Sequence, residues 1–323
     1  APCSISTVGF RWLVTAAANK VVAEMFAASA DHIERACPSW NVSSNCNNLF
    51  GTDAKGRRVG ALLSDHRGGG SGGRSFGDGF SHAGQVTSLY SSLANVESVE
   101  WKLPVMYLYR KQLIDSGGPG MYRGGLASES AMMPFQTQLV LKSTNTAGTD
   151  QSNAFGICGG YPGAGSQVTL VKDSDVWNRL ASGQPVSEPE QLGGAVSHLP
   201  SKSEATLGPT DVLVFHAPGG GGFGDPLLRN PAAVATDVAH GRVSVESARE
   251  RYGVALTPEQ QVDATATAKL RATLRARRLS RDPNGFGTPA TVASRMLELA
   301  GGTLRCRGCG HVVGCLLYTS DAA

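Results

Sequence analysis

Between Thr7 and Cys37, apolar residues recur at spacings of three and four. Val14, Ala17, Val21, Met25 and Ala28 form one stripe, the pattern of an amphipathic helix. Cys37-Pro38 ends it, because the residue before a proline avoids the helical region. The polar run NVSSNCNNLFGTD, residues 41–53, is rich in side chains that bond their own backbone and predicts turns. Five apolar runs of strand length follow: RRVGALLSD, VMYLYRKQLI, TQLVLKS, QVTLVK and DVLVFHA. In the second run, alternation predicts Val105, Tyr107 and Tyr109 on one face and Met106, Leu108 and Arg110 on the other. Residues 54–218 therefore read as a β-rich body.

The pattern changes to helical after Asn230. Asn230 reads as an N-cap with Pro231 at the first helical position. Ser244 opens a second short helix that Gly253 stops. Thr257 and Gln260 read as a capping box around Pro258, opening a helix toward Arg281. A last helix is predicted over 289–299, ending at Gly301-Gly302. The fold class is α+β: a β-rich mixed body with Gly-rich loops, followed by a small helical C-terminal region.

Composition sharpens this in one respect. Glycine accounts for 41 of 323 residues, about 13% against a usual ~7%. The glycines fall in runs without a collagen-like period, so they predict ordered loops of close backbone approach. Length allows about two domains of ~150 residues. No run nears the ~20 apolar residues of a membrane span, and a net charge of +3 implies no polyanionic partner. Seven unevenly spread cysteines do not form a small disulfide framework, which points to a reducing cytoplasm. APCSISTVGF carries neither an initiator Met nor a signal-like apolar region and reads as the cut end of a longer protein.

Gly219, Gly221 and Gly224 in HAPGGGGFGDPLLRNP match the spacing of a dinucleotide-binding loop. Such a loop needs its third glycine in the first turn of a helix, whose N-terminus faces the pyrophosphate. Here Asp225-Pro226 turns the chain away, and the next helix start, Asn230-Pro231, comes too late. Gly68, Gly70 and Gly73 repeat the same spacing, as a Gly-rich chain does by chance. The nucleotide reading is rejected.

The same stretch, with the residues up to Val254, resembles the C-terminal signature of the hydantoinase B/oxoprolinase family, the B component of ATP-dependent hydantoinases and oxoprolinases. That family is related to the large subunits of acetone and acetophenone carboxylases. DSGGPGMYRGGL (115–126) and LPSKSEATLGPTDVL (199–213) resemble two further family blocks, with Thr210 where the family usually has Gly. The resemblance covers about residues 1–256. It implies a fragment of a B-type subunit whose reaction opens a cyclic amide, N-methylhydantoin- or oxoproline-like, after phosphoryl activation. The alternatives it leaves are one component of a ketone carboxylase and an interface module for the hydantoinase A-type subunit. It further implies ATP bound by an A-type partner and a divalent metal whose His and Asp ligands lie outside this chain, so that the fragment alone is inactive.

The resulting segments are 1–229, the C-terminal part of the family's catalytic domain; 230–300, helical; 301–314, a half zinc-ribbon-like segment; and 315–323, a non-native tail. Candidate catalytic groups are Asp78, His82 and His66, which flank a Gly-built loop. They read as acid, base or hydrogen-bond donors, or as partners for the loop's backbone. Arg123 and Asp115 read as substrate-binding groups, or as a pair that closes the turn between them. Cys306 and Cys309, Cys-x-x-Cys, could supply two thiolates of a structural zinc site. Lys269, Arg271, Arg275, Arg277, Arg278 and Arg281 read as a solvated or partner-docking face, because the aromatic residues of nucleic-acid readers are absent beside them.

Overall fold

A computed structural model describes residues 4–40, 45–63, 65–85, 88–89, 93–145, 152–279, 297–300, 303–306 and 312–315. Ala1–Arg271 form one compact unit and Ala272–Ala323 a second.

The first unit is built on two antiparallel sheets. One, in the order β10-β7-β1-β2, comprises β1 (Asn45–Thr52), β2 (Arg58–Leu63), β7 (Leu139–Asn145) and β10 (Lys202–Leu207). The other, β5-β6-β11-β8-β9, comprises β5 (Val105–Gln112), β6 (Ser128–Pro134), β8 (Gln167–Lys172), β9 (Ala195–His198) and β11 (Val212–His216). A two-residue pair, β3 (Gly84–Gln85) and β4 (Ser88–Leu89), stands apart. Leu49, Leu139, Leu141 and Leu207 of the first sheet meet Met132, Leu170, Leu213 and Phe215 of the second in the main core. The outer face of the five-stranded sheet, Ala131, Met133, Val212 and Val214, is covered by Val176, Val186 and Leu192. This is the α+β class that the patterns predict. All five predicted strand runs are strands.

The departures have physical reasons. Asn45–Thr52 of the polar run form β1, because pairing on both edges, with β2 and β7, outweighs the turn preference of its Asn residues, while 41–44 lie outside the described residues. β6, SESAMMP, carries no alternating pattern because all seven residues are buried, with apolar packing on both faces. A register shift in β5 between Tyr107 and Tyr109 breaks the expected alternation. Tyr107 therefore packs on the inter-sheet core, while Tyr109 joins Met106 and Leu108 on the outer face.

Helix α1 (Ser4–Ala27) ends ten residues before Cys37, in turns that lead to a 3-10 turn at Ile33–Arg35. Helix α2 (Val96–Lys102) and α3 (Val176–Ala181) flank the sheets in sequence. The predicted caps of α4 (Pro231–Ala239) and α5 (Val245–Glu250) are present: Asn230 Oδ1 accepts from Ala232 N, and Ser244 Oγ from Ser247 N. Thr257 opens a turn rather than a helix. Gln260 sits at φ 60°, Leu256 bridges Val262, and α6 (Ala264–Leu279) begins only after Asp263, whose Oδ1 accepts from Ala266 N. In the second unit, β12 (Leu297–Ala300), β13 (Thr303–Cys306) and β14 (Val312–Cys315) form an antiparallel sheet. Residues 297–299 are thus strand, not the end of a helix; 289–296 lie outside the described residues.

Candidate functional site

The Gly-rich segments turn out to be one object. Residues 219–224 run through the middle of the unit, and their N–H groups donate in rotation. Gly219 and Gly222 donate to Ala164 and Tyr161, Gly220 and Phe223 to Gly125 and Tyr122, and Gly221 and Gly224 to Ser39 and Ile157. Residues three apart serve the same neighbour in the first two cases, the periodicity of a three-residue-per-turn extended helix rather than of a sheet. Carbonyls on the same segment accept from Gly73, Gly118, Met121, Tyr122 and Ile157. Glycine is required here by distance. A Cβ on Gly220 would fall on the Ser71 carbonyl, inside the 3.0 Å that real Cβ contacts keep. Gly224, by contrast, is needed for its φ of +74°. The rod is a packed axle with no open cradle for a phosphate.

An ion network sits where the rod meets α4. Asp78 takes Arg229 in a two-pronged grip, Oδ1 to Nη1 at 2.6 Å and Oδ2 to Nη2 at 2.7 Å, and accepts from Arg123 N at 2.8 Å. Asp237 of α4 takes Arg229 Nη2 at 2.7 Å and Arg123 Nε at 3.4 Å. Arg123, Arg229 and Asp237 are buried, while Asp78 keeps a third of its side chain exposed. Burial raises the Asp78 pKa, but Arg229 and then Arg123 outweigh it and hold the carboxyl below its ordinary range. Burial opposes the Arg229 charge, yet Asp78 and Asp237 drive its pKa upward. Tyr252 lies in the same field, its pKa raised first by burial, with no hydrogen-bond partner for its Oη among the described residues. A cleft of about 380 Å3 opens beside Asp78, Met121, Arg229 and Asn230.

Two further clusters carry no signal in the sequence pattern. Asp65 holds Arg110 Nη2 at 2.7 Å and the Tyr107 hydroxyl at 2.9 Å. Buried Glu129 accepts from Tyr109 Oη at 2.7 Å, faces Lys111 Nζ at 3.3 Å, and lies 2.8 Å from His216 Nε2, off-line for a hydrogen bond. Burial raises the Glu129 pKa, but His216 and Tyr109 hold it below the ordinary range. Both clusters need the β5 bulge, which sends Tyr107 and Tyr109 to opposite faces; strict alternation would have put them together.

The structure separates the sequence-predicted residues. Asp78 and Arg123 meet in the ion network. His82 lies at φ 53° with Nδ1 3.3 Å from Gly68 O, and burial lowers its pKa. His66 falls in the 3-10 turn Asp65–Arg67, and its side chain is outside the described residues. Asp115 does not pair with Arg123. It accepts from Ser244 N at 3.0 Å at the start of α5, and it lines a polar cleft of about 400 Å3 with Tyr161, Glu246 and Arg251. Asp225 likewise does not pair with Arg229 but caps its own turn, accepting from Leu227 N. Arg271 donates to the Arg229 and Tyr252 carbonyls, so it braces the network rather than solvating a face. Cys306 ends β13, while Cys309 lies outside the described residues. Among the described residues no three His, Cys, Asp or Glu side chains converge on a metal position, and no helix is long and apolar enough to cross a membrane.

The rod and the sheets around it have counterparts in known proteins. A family model for hydantoinase B/oxoprolinase matches residues 2–226. The alpha chain of acetone carboxylase from Xanthobacter autotrophicus is 31% identical over 66% of this chain and 30% of its own length. The beta chain of caprolactamase from Pseudomonas jessenii is 27% identical over 74% of this chain and 39% of its own length. The B component of a putative D-/L-hydantoinase from a Pseudomonas species is 29% identical over 58% of this chain and 28% of its own. Among solved structures, nucleotide-free acetone carboxylase superposes with a TM-score of 0.70 at 28% identity, covering 80% of this chain and 36% of that one. The ATP-dependent caprolactamase of P. jessenii shares the fold, with a TM-score of 0.61 at 23% identity over 77% of this chain and 40% of that one. The chain thus spans about a third of the length of these three curated relatives, each of them named as a subunit. With the match running through the glycine rod and both sheets, this chain belongs to the hydantoinase B/oxoprolinase family.

Proposed function

We propose that this chain is the glycine-built framework of a B-type subunit that opens a cyclic amide after ATP-dependent activation. An amide carbon is a poor electrophile because nitrogen donates into it. A phosphoryl group on the carbonyl oxygen withdraws that donation, so water adds to the carbon, the C–N bond breaks with the nitrogen taking a proton, and the acyl phosphate left behind is hydrolysed to carboxylate and inorganic phosphate. In this reading an A-type partner binds ATP and delivers the phosphoryl group, and the B-type subunit holds the activated ring for attack by water, in the cytoplasm. The free thiols of Cys37 and Cys158 accord with that compartment. A divalent metal of the intact subunit is held in this reading by His and Asp residues outside this chain, since among the described residues no such ligand set converges. A structural zinc held in part by Cys306 and Cys309 remains part of the proposal for the C-terminal unit. The isolated chain is proposed to be inactive, since its polar clusters are spent on one another.

The observation that carries the reading is the continuous family match, shared with hydantoinase and caprolactamase chains. A second reading, carboxylation of a ketone, is favoured by one observation: the acetone carboxylase alpha chain is 31% identical and the corresponding structure superposes with a TM-score of 0.70. There, phosphorylation would trap the enol that makes the methyl carbon nucleophilic. The complete subunit, co-expressed with its ATP-binding companion, separates them. Hydantoin-, oxoproline- or lactam-dependent ADP release with ring-opened product supports hydrolysis. ADP release with ketone and fixation of labelled bicarbonate supports carboxylation. No ATP turnover with either substrate class overturns both.

A further inference from the structure

Helix α1 is apolar on two opposite faces, and only one of them is covered by the described residues of this chain. Ala23, Phe26 and Ala27 turn inward, against Ile157, Phe223 and Tyr122 at the end of the glycine rod, and Ala16 on the same side is buried. Asn19 on the same side accepts from Ser39 Oγ. The stripe seen in the sequence points the other way. Val14, Val21, Val22 and Met25 are 48%, 58%, 49% and 68% exposed, with Ala17 and Ala18 exposed between them. At ~100° per residue these six fall within an arc of about 140°, in which no charged residue lies between Val14 and Met25; Arg11, about one turn earlier, is the charged position on the same arc. The Lys20–Glu24 pair occupies one seam between the two faces. A helix apolar all round is a buried helix.

We infer that the outer face of α1 docks against an uncharged, apolar surface of the remaining part of the same B-type subunit, outside these 323 residues. Two observations select this occupant over a second copy of the chain. The relatives are roughly two and a half to three and a third times as long as the stretch they share with this one, and the family match includes α1 from residue 2 onward. The area is also too small for free association. From Val14 to Met25 the helix advances about 17 Å, and a strip ~10 Å wide amounts to a few hundred Å2 on two copies. A stable dimer needs roughly 1,200 Å2 or more. A surface of that size holds only when the covering segment is already tethered by the same polypeptide, which avoids the cost of association. The inference rests on family membership and is independent of the choice between hydrolysis and carboxylation.

The test is the reactivity of Met25→Cys toward a thiol reagent, read at that site by mass spectrometry in this chain and in the complete subunit. The reading requires fast labelling in the chain alone and at least about tenfold slower labelling in the complete subunit. Equal rates in both, or shielding already present in the isolated chain, overturn it. Val21→Lys/Met25→Lys is the companion variant. It should leave the melting temperature of the isolated chain unchanged and lower that of the complete subunit. An isolated chain that sediments as a dimer, and as a monomer with the double substitution, would assign the face to a second copy and also overturn the inference.

Discussion

Gly220→Ala should nearly unfold this protein, although it adds one methyl group. The new Cβ would land on the Ser71 carbonyl, with the Gly72 amide close behind, and both are backbone atoms that no rotamer change can move aside. To make room, the rod must separate from the segment carrying Ser71. Gly220 is clamped by its own N–H to Gly125 O at 3.0 Å and by Gly118 N to its carbonyl at 2.8 Å. Breaking both without replacement costs about 1–3 kcal/mol each. Strain left in the packing adds roughly 1–3 kcal/mol. The reduced freedom of the unfolded chain returns only ~0.4–1 kcal/mol. The net is about 2–9 kcal/mol, a large part of the 5–15 kcal/mol that holds an ordinary domain together. Gly60→Ala is the control, because there the nearest atom is the Phe50 ring at 3.3 Å on an exposed side chain, which can swing away. Urea denaturation followed by far-UV circular dichroism should place Gly60→Ala within ~1 kcal/mol of the parent and Gly220→Ala far below it. A Gly220→Ala chain within about 1 kcal/mol of the parent would refute the packed-rod account.

The remaining predictions concern the buried polar groups. Arg229→Lys keeps the charge but loses the two-pronged grip on Asp78, and should cost about 2–4 kcal/mol in the same denaturation experiment. Asp78→Asn should remove stability at neutral pH and less in acid: a carboxyl with a depressed pKa contributes fully above its ordinary value near 3.8, and that contribution is lost as pH falls through the folded-state value. The parent–variant gap should therefore stay constant above pH ~5 and close as the pH falls below the ordinary carboxylate value, and a gap independent of pH would contradict the ion-pair assignment. Tyr252→Phe removes a hydroxyl with no partner among the described residues, so the variant should melt at the parent's temperature or above it. Tyr109→Phe strips Glu129 of its 2.7 Å hydrogen bond and should destabilise by about 1–3 kcal/mol, read from the midpoint of the urea transition.

Local rules made part of this protein legible in its sequence. The five apolar runs became strands, and Asn230 and Ser244 became caps, because each depends on contacts within a few residues. The glycine runs announced close backbone approach, and their order along the chain announced the family. Where local preference met a tertiary demand, preference lost. β1 formed from Asn-rich sequence because its two edges were both paired, and α6 started at Ala264 because residues 256–262 closed a bridge instead.

The sequence by itself determined five of the strands, where α4 and α5 begin, and that its glycines serve contact rather than nucleotide binding. Only the tertiary structure decided which segments surround 219–224, since a residue without a side chain specifies no neighbour. It alone paired Asp78 with Arg229, 151 residues apart, in place of the nearer Asp225. It also turned the α1 stripe outward, because a helix apolar on both sides leaves the choice of face to the surfaces available for it to cover.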